Sequence, residues 1–341
     1  MAWARKYLQG AWWALLPALI AGVMAVKIDA LGTFNALMPK DRASARMAKD
    51  VAYGRGERRR LDVYAPRASA SRPRPVILFL YGGSWNSGRR QGYAFAARAL
   101  AAKGFVVVVP DYRLVPEVRY PEFLSDCAAA FRWARRNVGG YGGDGERIVL
   151  IGHSAGAYNA AMLALDPSLL GADRAAIRGF AGLAGPYDFL PLDDESTVAA
   201  FGAWPRLAET QPVNHVAPGL PPVLLLHGDG DSRVMPRHSR KLAGLLRAAG
   251  ADVELKLYPG LGHVGILAAL ARPFRGRAPV LADLARFAHR AGGEASPGRV
   301  APEAKLSKGA RWISTTSSAA ISEPPTSPQS RPPRSRPGSS G

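Results

Sequence analysis

Two stretches of this chain carry residue types and spacings suited to covalent chemistry. In "LIGHSAGAYNAAMLALD", residues 150–166, Ser154 stands between Gly152 and Gly156, with an apolar run before it and an alanine-rich run after it. A serine on a strained strand-to-helix turn brings the residues two positions either side close together, so both must be small. That arrangement exposes a hydroxyl for attack on a carbonyl carbon. A hydroxyl is a poor nucleophile until a base takes its proton, so a histidine must reach it. Six histidines are available. His153 adjoins the serine and is expected to point elsewhere. His238 and His289 lie among charged residues and read as solvated helix positions. His215 lies before an apolar run and His227 ends that run. His263, in "YPGLGHVG", follows the last apolar run in what reads as a flexible loop, and it is the expected base. The second stretch, "LLLHGDGDSRVMP", offers Asp229 and Asp231 as the carboxylate that orients an imidazole. Aspartates between glycines also make ordinary turns.

These residues need a scaffold, and the chain between residues 50 and 291 supplies an alternating one. Residues 61–66, 76–81, 105–110, 147–152, 178–185, 222–228 and 253–259 read as strands, several apolar throughout, as parallel strands covered on both faces are. Helical patterns fall near 90–103, 121–138, 155–165, 236–249 and 277–291. The order predicts an α/β fold with a mostly parallel central sheet and helices on both faces. Ligands of such sheets sit beyond the carboxyl ends of the strands, where Ser154, both aspartates and His263 fall. The order Ser154, Asp231, His263 is the one this architecture uses. Residues 186–221 form a short cap insertion, which implies an open site. "GGYGGDG", residues 139–145, precedes a strand and does not open a helix, so it reads as a connecting turn rather than a phosphate cradle. Asp193, Asp194 and Glu195 read as a solvated face, and no metal-ligand spacing appears.

The set "YGGSW", "DYRL", "GHSAG", "HGDGDSRV" and "GH" resembles the α/β-hydrolase superfamily, and more narrowly a carboxylesterase-like branch near hormone-sensitive lipase and kynurenine formamidase. The resemblance spans residues 50 to 291. Its H-G-x-x-D-x-x-V pattern places the catalytic acid at Asp231, with Val234 in register and Asp229 as runner-up. It also implies an oxyanion hole of backbone N–H groups from Gly83, Ser84 and Ala155. Glycine suits such a loop because no Cβ blocks the substrate or restricts the turn. Tyr81 stands where relatives carry histidine and is expected to alter pocket polarity. Trp85 is expected to wall the acyl or alcohol pocket, or else to sit in the core. "DYRL", residues 111–114, is expected to order its loop rather than touch substrate. No cofactor is implied.

Composition narrows the remaining classes. The net charge of +19 invites nucleic acid, but the arginines are scattered and no basic-region, zinc-finger or single-strand aromatic pattern accompanies them. Contact with anionic lipid headgroups fits better. Residues 7–26 contain no charge, so residues 1–27 read as a transmembrane anchor or signal segment, and the protein as membrane-attached or exported. Residues 292–341 hold 8 prolines and 11 serines and read as a disordered tail. Cys127 is the sole cysteine and lies on a helical stripe as a buried small hydrophobe. The expected activity is hydrolysis of carboxylic esters of short to medium acyl chains. The alternatives are an aryl formamidase or peptidase with the same triad, and a binding protein that has lost catalysis.

Overall fold

The computed structural model describes residues 30–293 of the chain. The apolar segment 7–26 and all but the first two residues of the Pro/Ser-rich tail lie outside the described residues. Eight strands form one sheet: β1 (Ser44–Ala52), β2 (Arg60–Pro66), β3 (Arg74–Leu80), β4 (Val106–Pro110), β5 (Gly143–His153), β6 (Ile177–Leu183), β7 (Val223–Gly228) and β8 (Val253–Tyr258), in the order β1-β2-β4-β3-β5-β6-β7-β8. The pairs β1·β2 and β2·β4 are antiparallel and the others parallel. The central strands are buried on both faces, which explains their continuous apolar runs.

Nine α-helical stretches are assigned among the described residues: α1 (Ala30–Leu37), α2 (Ala94–Ala101), α3 (Glu122–Asn137), α4 (Ala155–Leu165), α5 (Pro167–Leu170), α6 (Glu195–Phe201), α7 (Arg237–Ala248), α8 (His263–Ala268) and α9 (Val280–Ala291). Helices α2 and α9 pack together on one face of the sheet, and α3 and α4 pack together on the other. This is the α/β-hydrolase fold. Helix α4 is buried all round, and its small residues let it lie against the middle of the sheet. Helix α7 buries His238, Ser239, Leu242, Ala243 and Leu246 along one stripe. The chain between β6 and β7 carries α6 and short 3₁₀ turns, a small insertion over the strand ends.

Strand β1 and helix α1 were not anticipated, and two histidines differ from the sequence-based expectation. Strand β1 begins at Ser44, and α1 packs through Phe34, whose ring lies 5.2 Å from Phe95 and 5.9 Å from Phe274. His238 and His289 are buried, not solvated. His289 lies against Phe105 at 4.3 Å between ring centroids, and its Nε2 is 2.9 Å from the Lys103 carbonyl. Cys127 is fully buried, as a small hydrophobe should be. Residues 139–142 form a turn and residues 143–145 open β5. No helix among the described residues is long and apolar enough to cross a membrane.

Candidate active site

Ser154 joins β5 to α4 at φ 55° and ψ −126°, a sparsely populated conformation for a residue with a side chain. The turn is held by close backbone approach. A Cβ on Gly152 would stand 2.2 Å from the Gly156 carbonyl oxygen, and one on Gly156 would stand 2.1 Å from the Leu80 carbonyl oxygen. No L side chain fits at either position, so the strained turn requires glycine on both sides. The Ser154 amide donates to the Leu183 carbonyl at 2.9 Å, tying the turn to β6.

Beyond the ends of β7 and β8 the chain brings up the other two groups. The Ser154 hydroxyl lies 2.9 Å from His263 Nε2, and His263 Nδ1 lies 2.7 Å from Asp231 Oδ2. His263 is the first residue of α8, not a member of a flexible loop, so a helix fixes its backbone. Asp231 is buried, and its Oδ1 accepts from the amides of Arg233 at 3.0 Å and Val234 at 2.9 Å. Burial opposes its ionisation, but hydrogen bonding from His227 and His263 and from the Val234 amide outweighs burial and holds its carboxyl below the ordinary carboxylate range. His227 is itself fixed by Ser239 Oγ at 2.8 Å and the Val234 carbonyl at 2.7 Å. Asp229 is exposed and accepts from the Gly260 amide at 2.7 Å, a turn-forming bond away from the imidazole.

The loop after β3 lies beside the serine. Gly83, Ser84 and Trp85 have φ of 138°, 50° and 58°, three successive left-handed residues. The Gly83 carbonyl accepts from the amides of Asn86 and Ser87, while the Gly83 and Ser84 amides donate to no partner among the described residues. The Ala155 amide, in the first turn of α4, has no intrahelical acceptor. An oxygen beside Ser154 can thus receive hydrogen bonds from backbone donors fixed before it arrives.

The structure corrects one pocket residue. Tyr81 is fully buried, stacked between Tyr93 and Tyr112 at centroid distances of 5.5 and 4.8 Å, and lines neither cleft at Ser154. It prolongs the β3 pattern into the core, and its hydroxyl accepts from Arg58 at 2.8 Å. Trp85 is buried and also borders the cleft beneath the cap. It sits in an aromatic cluster, 4.7 Å from Phe201 and 5.2 Å from Tyr158 between centroids, and forms part of a cleft wall. Its Nε1 donates to Asn159 Oδ1 at 3.1 Å.

Three contributors escaped the sequence reading. His153 is buried, and its Nε2 lies 3.2 Å from the His263 carbonyl. Burial, reinforced by His263, lowers its pKa to about 3, so the ring is neutral and Nε2–H can donate to that carbonyl. Its place directly before Ser154 was the available signal. Arg90 is buried against Asp50, Asp62 and Asp111, and its amide donates to Asp111 Oδ1 at 2.7 Å. Arg58 spans Tyr81, the Gly88 carbonyl and the Tyr112 carbonyl. The "DYRL" segment therefore orders the serine-side loop: Asp111 anchors Arg90, the Tyr112 hydroxyl donates to the Tyr81 carbonyl, and Arg113 grips Asp126.

Two clefts meet at Ser154. One, of about 540 Å³, runs past His263 and α1; the other, of about 750 Å³, runs past Ala155 beneath the cap. Asp194 is the N-cap of α6, accepting from the amides of Ser196 and Thr197. Among the described residues no group of three or more His, Cys, Asp or Glu is placed to hold a metal ion.

Comparison with known proteins agrees with this fold. Esterase B from Lactobacillus rhamnosis superposes with a TM-score of 0.69 at 22% identity, covering 82% of this chain and 97% of that one, and shares the fold. A probable isoprenylcysteine alpha-carbonyl methylesterase from Oryza sativa subsp. japonica is 31% identical over 68% of this chain and 61% of its own length. Esterase LipC from Mycobacterium tuberculosis is 32% identical over 62% of this chain and 58% of its own length. The chain thus spans about three fifths of these curated relatives. The family model described as BD-FAE matches residues 61–246, from β2 through most of α7, and the chain belongs to that family of α/β hydrolases.

Proposed function

We propose that this protein hydrolyses carboxylic esters of short to medium acyl chain through an acyl-enzyme on Ser154. The observation that carries the reading is the continuous relay from Ser154 Oγ through His263 to Asp231, at 2.9 and 2.7 Å, with the serine on its strained turn. His263 Nε2 takes the hydroxyl proton as Oγ attacks the ester carbonyl. Asp231 holds the Nδ1–H tautomer and stabilises the imidazolium. The tetrahedral oxyanion rests on the amides of Gly83, Ser84 and Ala155, and the proton passes to the leaving alkoxide. Water then repeats the sequence on the acyl-enzyme. The esterase names of the curated relatives support this reading.

The test is fluorophosphonate labelling together with hydrolysis of p-nitrophenyl esters from acetyl to palmitoyl by the full chain, with Ser154→Ala as control. Labelling and short-chain turnover, both lost in the variant, are expected. Labelling without ester turnover would direct the reading to formamides and peptides, and absence of both would make the fold a binding scaffold. We further propose that the protein is membrane-attached or exported and touches lipid through residues 1–27, a reading supported by the uncharged run 7–26. Recovery in the soluble cytoplasmic fraction, with residues 1–27 intact, would overturn it.

A further inference from the structure

The two clefts at Ser154 are lined by different chemistry. His263 lines only the first, together with Val264, Leu267 and Ala268 of α8 and Leu31 and Phe34 of α1, so the face between α1 and α8 is apolar, while Asn86, Ser87, Ser196 and Arg233 border the cleft elsewhere. Ala155 lines only the second. There the far wall carries Arg237, while Arg233 stands between the clefts and borders both; the two are exposed, and neither guanidinium has a hydrogen-bonded or ion-paired carboxylate among the described residues. The acids of that wall are mostly engaged: Asp188 pairs with Lys241 at 2.5 Å and Asp194 caps α6, which leaves Asp193 as the one acid there without a hydrogen bond or ion pair among the described residues. Arg237 also opens α7, so the positive end of a 12-residue helix adds to its charge.

The reaction decides which half of an ester enters which cleft. The leaving oxygen must come within hydrogen-bond reach of His263 Nε2 to receive its proton. His263 borders only the apolar cleft, so the alcohol portion departs into that cleft. The acyl portion, left on Ser154 Oγ, then occupies the other. We infer that the chain divides its substrate by polarity, taking an apolar alcohol between α1 and α8 and an acyl group that ends in an anion facing Arg233 and Arg237. This inference rests on the ester-hydrolase reading and goes beyond it by naming the substrate class. The bonds are those of ordinary acyl transfer: the ester C–O bond breaks, the alcohol leaves with the proton from His263, and water returns the acid.

The experiment uses the full chain and two ratios of kcat/KM. The first compares octyl acetate with methyl acetate, in wild type and in Ala268→Phe, which narrows the apolar cleft. The ratio is expected to fall about tenfold, as one or two buried contacts are lost. The second compares monomethyl suberate with methyl octanoate, in wild type and in the Arg233→Gln/Arg237→Gln double variant. That ratio is expected to fall about fivefold to tenfold, on the scale of charge-assisted hydrogen bonds at an exposed site. If Ala268→Phe instead penalised long acyl chains in a methyl ester series, the assignment of clefts would be reversed and the inference overturned. An unchanged suberate ratio in the arginine variant, or failure of a fluorophosphonate-reactive wild type to turn over these esters, would overturn it as well. Absence of fluorophosphonate labelling at Ser154 would instead remove the underlying reading, so the two failures are separable.

Discussion

The two flanks of Ser154 are held in place by different means. On the side of the loop after β3, long cross-links between distant segments do the work. Arg90 reaches Asp62, 28 positions away, and Asp111, 21 away, and Asp126 is gripped by Arg59 from 67 positions away. On the side of the acid and base, local bonds hold Asp231, which accepts from amides two and three residues ahead of it, and a single long link joins the His263 carbonyl to His153, 110 positions away. Buried ion pairs become strongly destabilising when one partner is removed, because the other charge is left without compensation. Turn bonds are replaced more cheaply by water. The first flank should therefore fail through stability and the second through chemistry.

Experiments can break this contrast at several strengths. The largest effect is expected for His263→Ala or Ser154→Ala, where kcat for esters should fall by roughly 10⁴- to 10⁶-fold while the thermal midpoint moves little. A large loss of folded protein in either variant would show that the acid–base flank also carries stability. Next, Asp231→Asn should lower kcat about 10⁴-fold by leaving the wrong tautomer on His263. Asp229→Asn, which changes only a turn bond, should cost far less, and the reverse ranking would move the acid. On the other flank, Arg90→Met should lower unfolding free energy by about 3–5 kcal/mol, because it strands Asp62 and Asp111, which are almost fully buried. Denaturant titration measures this, and an unchanged midpoint would mean the network is not structural.

The smallest effect sharpens the comparison through pH. Burial lowers the pKa of His153 to about 3 and of His238 to about 4, against an ordinary value of 6.5. Between 6.5 and about 4 the unfolded chain therefore binds protons that the folded chain does not. Stability should fall as the solution is acidified through that window, and rise again with pH. Asp231 acts lower down: its carboxyl is held below the ordinary value, so its contribution is complete above 3.8 and is lost only on further acidification. Thermal midpoints between pH 7 and 4.5 should decline less in His238→Gln than in wild type. A decline of equal slope would show that this histidine does not contribute.

The same contrast explains what could be read from the sequence. Local patterns were legible: G-x-S-x-G requires its glycines for close approach, and the Asp231 turn repeats a short motif. The central strands were legible because burial on both faces writes a continuous apolar run. Strand β1 was not, since it lies at the sheet edge, is mostly exposed, and reads "SARMAKDVA". The Arg90 and Arg58 braces were not, because only the folded chain brings their partners together. Tyr81 looked like a site residue because the family it resembles carries histidine there, whereas it continues β3, whose residues from Pro75 onward are all buried. His238 was misjudged by its charged neighbours, although Leu242 and Leu246 at helical spacing marked its face as buried. His263 looked mobile because the six residues of α8 are too few to show a periodic pattern.

The core also decides how this protein can be labelled in solution. The chain's sole thiol, on Cys127, is fully enclosed, and enclosure raises its pKa well above the ordinary value. Maleimide dyes and spin labels should leave the native protein unmarked. A cysteine introduced on α6 or α8 would then be the single reactive handle, so movements of the cap against the rest of the fold can be watched by fluorescence or electron resonance in the otherwise unaltered chain.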